Sequence, residues 1–256
     1  MILVLQGTSD GGMITQTLTG QGYRVVAIAS TDYGRELAVQ YGATLVENEL
    51  PSETEVWLKQ LGVRAVVDAR HPFGEMTDDR LAQHCQAMDI IYLHIGRDEI
   101  NITCHELVHP VNSMPEAAIK AAGLGKTIFL TTGSHDLEYF VALQKTHNIR
   151  LVVRVLPEHR VVKKCQDMGI HTRNIVAMQG PFSKQINKAL FKMYRAAVVV
   201  TKDSGRAGGT DTKIEAALSL KIPVVIVKRP SVIARREYNW EEAVRVINRK
   251  LPFHGR

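Results

Sequence analysis

Long apolar runs are missing from this chain. No stretch of about 18 apolar residues occurs, so no membrane-spanning helix and no membrane partner are expected. Cysteine is scarce: Cys85, Cys104 and Cys165 stand far apart, with no CxxC pair. An odd, scattered set points to reduced thiols and not to a disulfide frame. The first residues enter a strand with no basic segment before it, so no signal peptide is expected and the protein is placed in the cytoplasm. Aromatic residues make up only 6%, and no strand face is studded with them. The net charge of +6 is spread along the chain with no basic block, which argues against nucleic acid and for anionic small molecules. A Gly-x-Gly-x-x-Gly fingerprint is absent. So is a Tyr-x-x-x-Lys pair; Tyr139, for example, is followed four residues later by Leu143.

What is present is a rhythm. At 256 residues and 45% hydrophobic content the chain can form one large α/β domain or two smaller ones. Short β-branched runs alternate with helical stretches: Met1 to Leu5, Tyr23 to Ala29, Ala43 to Val46, Ala65 to Ala69 and Ile90 to Ile95 read as strands, with helices between them. Ser52 is expected to cap the helix that runs to Leu61. Polar residues 96–112 interrupt the pattern and predict a lobe boundary. A second series follows: Thr127 to Leu130, Arg150 to Val155, Asn174 to Ala177, Val198 to Val200 and Ile222 to Val227, closed by a helix from Trp240 to Asn248. The expected fold is α/β, with two Rossmann-like lobes, parallel sheets and a cleft between them. Residues 1–98 would be a dinucleotide-binding lobe, and 99–256 a substrate-binding lobe.

The strand ends carry the chemistry, because ligands of open α/β sheets bind beyond the carboxyl ends of the strands. The longest such stretch follows Val200: Thr201, Lys202, Asp203, Ser204, Gly205, Arg206, Ala207, Gly208, Gly209, and then Thr210 opening a helix that contains Lys213. A strand that ends in a glycine-rich turn and runs into a helix N-terminus presents backbone N–H groups and the positive helix end. Lys202, Arg206 and Lys213 add charge, so the expected ligand is an anion. The plainer reading is a βα turn with solvated charges.

In the first lobe, Gly7, Thr8, Ser9, Asp10 and Gly11, followed by Gly12, form a dinucleotide-type first turn. At the second strand end, Ser30, Thr31 and Arg35 suit a 2′-phosphate better than a bare 2′-hydroxyl, although Asp32 blurs this and Thr31 and Asp32 also suit a helix cap. His71, Pro72 and Phe73 follow the fourth strand; they are a cofactor-side contact or ordinary capping and packing. In the second lobe the strand ends carry Thr132, Gly133 and Ser134; then Arg154; then Gln179, Gly180, Pro181 and Phe182; then the Lys202 stretch with Ser204, Gly205, Gly208, Gly209, Thr210 and Lys213. These are the candidate substrate contacts.

One motif misleads. His105-Glu106-Leu107-Val108-His109 fits the His-Glu-x-x-His zinc pattern, which needs both histidines on one helix face. Pro110 disfavours a helical His109. The segment is read as a connecting strand, and no metal is expected.

Taken in order, GTSDG at 7–11, DARHPF at 68–73, FLTTGS at 129–134, RVLP at 154–157, MQGPFS at 178–183, TKDSG at 201–205, GGT at 208–210 and IPVVIVKRP at 222–230 resemble the precorrin-6A reductase family of cobalamin biosynthesis, including cobalt-precorrin-6A reductases. The resemblance implies an enzyme that reduces one ring double bond of an anionic tetrapyrrole-derived macrocycle, with NADPH, or alternatively NADH, as hydride donor. It leaves open whether the substrate carries cobalt. Gln6 and Arg70 depart from the pattern. Lys202 and Asp203 are candidates for the proton donor or its orienting partner, with water as the other choice. The rival readings are another NAD(P)-dependent Rossmann reductase and a two-lobed binder of an anion. The oligomeric state is not expected to be legible.

Overall fold

The computed structural model describes residues 1–47, 49–70, 73, 79–96, 105–206, 208–229 and 236–251. The chain divides into two compact units, Met1–Arg97 with Ser231–Arg256, and Asp98–Pro230. The first opens with β1 (Ile2–Gln6), α1 (Ser9–Gly20), β2 (Val25–Ala29), α2 (Asp32–Gln40), β3 (Thr44–Leu45), α3 (Thr54–Leu61), β4 (Ala65–Ala69), α4 (Asp79–Ala87) and β5 (Ile91–Ile95). The second holds β6 (Val108–Val111), α5 (Met114–Leu124), β7 (Thr127–Leu130), α6 (Leu137–His147), β8 (Arg150–Val155), α7 (His159–Asp167), β9 (Ile175–Ala177), α8 (Lys184–Met193), β10 (Val198–Lys202), α9 (Thr210–Leu218) and β11 (Val224–Val227). The chain then returns to the first unit with β12 (Glu237–Tyr238) and α10 (Trp240–Lys250).

Each unit has a six-stranded sheet with parallel pairings throughout. The first sheet runs β12-β5-β4-β1-β2-β3 and the second β6-β11-β10-β7-β8-β9. Both are α/β with helices on two faces, which is why β1, β2, β4 and β10 are buried along their whole length and are mostly apolar, with Gln6, Asp68, Thr201 and Lys202 as their polar members. In the first unit Ile14 and Leu18 of α1 and Ala243, Val244 and Ile247 of α10 pack on one face of the sheet; Leu58, Leu81 and Cys85 from α3 and α4 pack on the other. In the second, Leu190 and Phe191 of α8 and Ile214, Ala216 and Ala217 of α9 cover Phe129, Val152 and Val199. Phe191 and Tyr194 meet Phe129 edge to face, at 5.1 and 5.8 Å between ring centroids.

The structure corrects the expected extent of the second lobe. Residues beyond Pro230 belong to the first unit, because the apolar stripe of α10 is buried against α1 and β12 pairs with β5. A Cβ on Gly96 would collide with Glu237, so the glycine lets this strand come alongside. The Tyr23 hydroxyl donates to the carbonyl of Leu251 at 2.7 Å and fastens the end of α10 to the start of β2. The helix begins with a reciprocal cap, Asn239 Oδ1 accepting from the amide of Glu242 and Glu242 from that of Asn239. Ser52 does not cap α3; Glu53 holds that position without a side-chain bond. The His105 to His109 segment is a turn followed by β6, with His105 Nδ1 accepting from the amide of Leu107 at 3.1 Å. Beyond a connection, β6 is the outer strand of the second sheet, where Pro110 costs no interior ladder bond. The two histidines therefore do not share a helix face, and among the described residues no three metal-ligating side chains cluster. Purified protein is expected to hold less than stoichiometric zinc by metal analysis, and His105→Ala to keep full activity; one tightly bound equivalent lost in that variant would reverse this reading.

Candidate functional sites at two sheet edges

In the first unit the connections leave β1 and β4 in opposite directions, which opens a crevice at their carboxyl ends. Thr8 spans it. Its hydroxyl donates to the carbonyl of Ala69 at 2.9 Å and accepts from the amide of Gly11, capping α1. Gly7 and Ser9 are exposed above, with the N-terminus of the helix behind them. The departure at residue 6 has a structural reason. Gln6 is buried, and its Nε2 donates to the Thr15 hydroxyl at 2.6 Å and the Gly11 carbonyl at 3.3 Å. A Cβ on Gly11 would lie 2.6 Å from Gln6 Oε1 and 3.0 Å from Ala69 Cβ. Glycine at 11 thus lets α1 approach the sheet, the service a fingerprint glycine performs.

At the end of β2, Thr31 caps α2 by accepting from the amide of Gly34 at 3.1 Å, so the capping role is real. Ser30 is exposed beside it. Arg35, one turn into the helix, has a buried Nη1 with no hydrogen-bond partner. Buried donors are normally satisfied, so an orphan guanidinium nitrogen beside a strand end suits an incoming anion. At the end of β4, Asp68 is fully buried and takes Nε and Nη2 of Arg70 at 2.8 and 2.6 Å and the Tyr92 hydroxyl at 2.8 Å. Burial alone would push its pKa up; the hydrogen bonds and charge of Arg70, with Tyr92, outweigh it and hold the carboxyl below its ordinary range. The same contacts raise Arg70 against its own burial. The Cys85 thiol is pushed up to about 12 by burial and by Asp68, so it is inert. Phe73 is half-buried; His71 and Pro72 lie outside the described residues.

The second unit has its own switch point, between β7 and β10. Here the ion pair Lys202 Nζ–Asp136 Oδ2, at 2.8 Å, joins the end of β10 to the start of α6. Asp203 accepts from the amide of Gly205, and Arg229 reaches back from β11 to donate Nε to the Asp203 carbonyl at 3.0 Å. The Thr131 hydroxyl donates to the carbonyl of Val200 at 2.9 Å. Thr132, Gly133 and Ser134 follow in a half-buried turn, with Gly133 at φ +79°.

The loop after β10 is less open to an anion than its composition suggests. The amide of Ser204 donates to the Thr210 hydroxyl at 3.0 Å, that of Gly209 to the carbonyl of Arg206, and that of Thr210 to the carbonyl of Gly205. Lys213 Nζ donates to the carbonyl of Gly208 at 2.9 Å. Thr210 is the first residue of α9 and not its cap, which is Gly209 in the left-handed conformation. Its hydroxyl instead donates to the carbonyl of Lys202 and binds both ends of the loop together. Positive φ falls on Gly205 and Gly209, and Gly208 is half-buried between.

Further along the same edge, Arg154 of β8 lies over the Phe182 ring, 4.4 Å from its centroid, and donates to Asn187 Oδ1 at 2.7 Å. Gly180 and Pro181 are exposed and Gln179 half-buried in the turn that delivers Phe182. A Cβ on Gly180 would press on that ring at 3.1 Å. Sequence reasoning passed over Asp136, Arg229, Asn187 and Asp68. Asp68 stands in the DARHPF string and Arg229 in IPVVIVKRP, whereas Asp136 lies two residues beyond FLTTGS.

Residues 1–248 match the family model described as precorrin-6x reductase CbiJ/CobK. The chain is 34% identical over 255 residues to the cobalt-precorrin-6A reductase of Priestia megaterium, covering 96% of this chain and 98% of that protein. It is 34% identical over 234 residues to the cobalt-precorrin-6A reductase of Methanothermobacter thermautotrophicus, covering 90% and 77%. A solved structure of CobK precorrin-6A reductase superposes with a TM-score of 0.77 over 97% of this chain and 96% of that one, at 23% identity, a likeness of fold. The chain belongs to the precorrin-6x reductase family.

Proposed function

We propose that the protein reduces one ring double bond of cobalt-precorrin-6A, or of metal-free precorrin-6A, to the corresponding 6B compound, with NADPH preferred over NADH. The cobalt form is favoured by the names of the two relatives above. The observation that carries the cofactor side is the first unit's crevice: the capped N-terminus of α1 beneath Gly7 to Gly11, with the orphan Nη1 of Arg35 at the neighbouring strand end. When bound there, a nicotinamide dinucleotide supplies the hydride. Gly7, Thr8, Ser9, Asp10 and Gly11 would receive its pyrophosphate, and Ser30, Thr31 and Arg35 the 2′-phosphate. The second unit would hold the macrocycle at the β7 and β10 strand ends, with Lys202 delivering the proton that the reduction needs and Asp136 fixing the ammonium group. Isolated, buried thiols at Cys85 and Cys165 fit a cytoplasmic setting.

The test is anaerobic turnover: wild-type protein, NADPH and each form of the substrate, read by loss of the reduced-nicotinamide absorbance. No loss with either form would remove the reductase reading and leave an anion binder. Arg35→Ala is expected to weaken NADPH by about 1–3 kcal/mol, the worth of a hydrogen bond to a charged group, and NADH by much less. Fluorescence titration of both cofactors checks this; equal losses would take Arg35 out of the 2′-phosphate site.

A further inference from the structure

We propose that Arg154 and Phe182 form a subsite for one peripheral carboxylate of the macrocycle, within the second unit, in the angle between β8 and α8. This deepens the reading above and rests on it. Arg154 is 6% exposed. Two other strand-end guanidinium groups are neutralised: Arg70 by Asp68, and Arg229 by Asp203 at 3.6 Å. Arg154 is not. Its one hydrogen bond among the described residues goes to a neutral amide oxygen, and its flat face lies on an aromatic ring. Burial pulls its pKa down to about 10, with no carboxylate raising it again.

A buried charge without a counter-charge is destabilising, and an apolar side chain of similar size would spare that cost. The turn above does not need the charge either. Asn187 Nδ2 already donates to the carbonyls of Phe182 and Ser183, and the Thr212 hydroxyl donates to the carbonyl of Phe182 at 3.1 Å. What remains is a planar, oriented donor set, fixed by a stack on Phe182 and an anchor on Asn187. That geometry fits a carboxylate in the plane of the guanidinium.

The experiment compares cobalt-precorrin-6A with its analogue in which every peripheral carboxylate is a primary amide. Binding is followed by visible absorbance, and turnover with NADPH is followed separately. Arg154→Lys keeps a cation and a donor for Asn187; it is expected to weaken binding of the carboxylate form about tenfold and the amide form by less than twofold, with NADPH affinity unchanged. Phe182→Leu removes the stack and leaves the charge. It should weaken the carboxylate form about threefold, and it stands in if Arg154→Lys fails to fold. Equal losses on both forms would mean that Arg154 only supports the turn, and would overturn the subsite. Selective loss in binding without any turnover by the wild type would retain the subsite and reject the reductase reading.

Discussion

Lys202→Ala is expected to lower kcat/KM for the macrocycle about 100-fold, the lower end of what a positioned proton donor contributes, while NADPH affinity stays within about twofold. The reasoning is local. Lys202 ends β10 at the second switch point, is nearly buried, and is held by Asp136 from across the crevice. Asp136→Asn keeps the shape and loses the charge that holds the ammonium group, so it should lower kcat about tenfold with the melting temperature unchanged. A residue that only braced the fold would lower stability and leave kcat in place. Steady-state kinetics on each folded variant, with separate NADPH titration, decide the matter. Should Lys202→Ala lose NADPH binding but saturate normally with substrate, the two units have been given each other's ligands.

The largest stability effect is expected at Asp68. Asp68→Ala removes a carboxylate that is fully buried and leaves both the Arg70 guanidinium and the Tyr92 hydroxyl without it. Breaking such a buried pair costs about 3–5 kcal/mol. For a chain of this size that lowers Tm by about 6–12 °C, measurable by calorimetry. The acid side provides a second check. The folded pKa of Asp68 lies below the ordinary 3.8, so its contribution is full above that value and drains away as the pH falls through the folded one. Wild-type stability should therefore fall more steeply with acid in that window than that of Asp68→Asn. A Tm within 2 °C or so of wild type for Asp68→Ala would show that the crevice tolerates a bare Arg70.

Much of the fold could be read from the chain. Ala65 to Ala69, Thr127 to Leu130 and Arg150 to Val155 are strands with the expected ends, because strands covered on both faces are written as short runs rich in β-branched and other apolar residues. Thr31 caps the helix it was expected to cap. What escaped was whatever depends on partners distant in sequence. β12 is two residues, Glu237 and Tyr238, with no apolar run to announce it, and its place is fixed by room at Gly96. The stretch after β10 has the composition of an anion nest, yet Thr210 and Asp203 take the amides of Ser204 and Gly205 for themselves. Composition counts donors; it does not say which are already used. Lys202 and Asp136 are likewise far apart in sequence, and no local pattern predicts that they pair.

The return of the chain to its first sheet has a consequence for how the protein is made. Synthesis runs from the N-terminus, so β1 to β5 emerge early, but β12 and α10 are translated only after the whole second unit. Until then β5 is an unpaired sheet edge, and the face of α1 that Ala243, Val244 and Ile247 will cover is bare. An open edge beside exposed apolar surface invites wrong pairing. The second unit, continuous in sequence, can complete itself first. A chain cut after Pro230 would carry every element of the second unit beside a first unit that lacks β12 and α10.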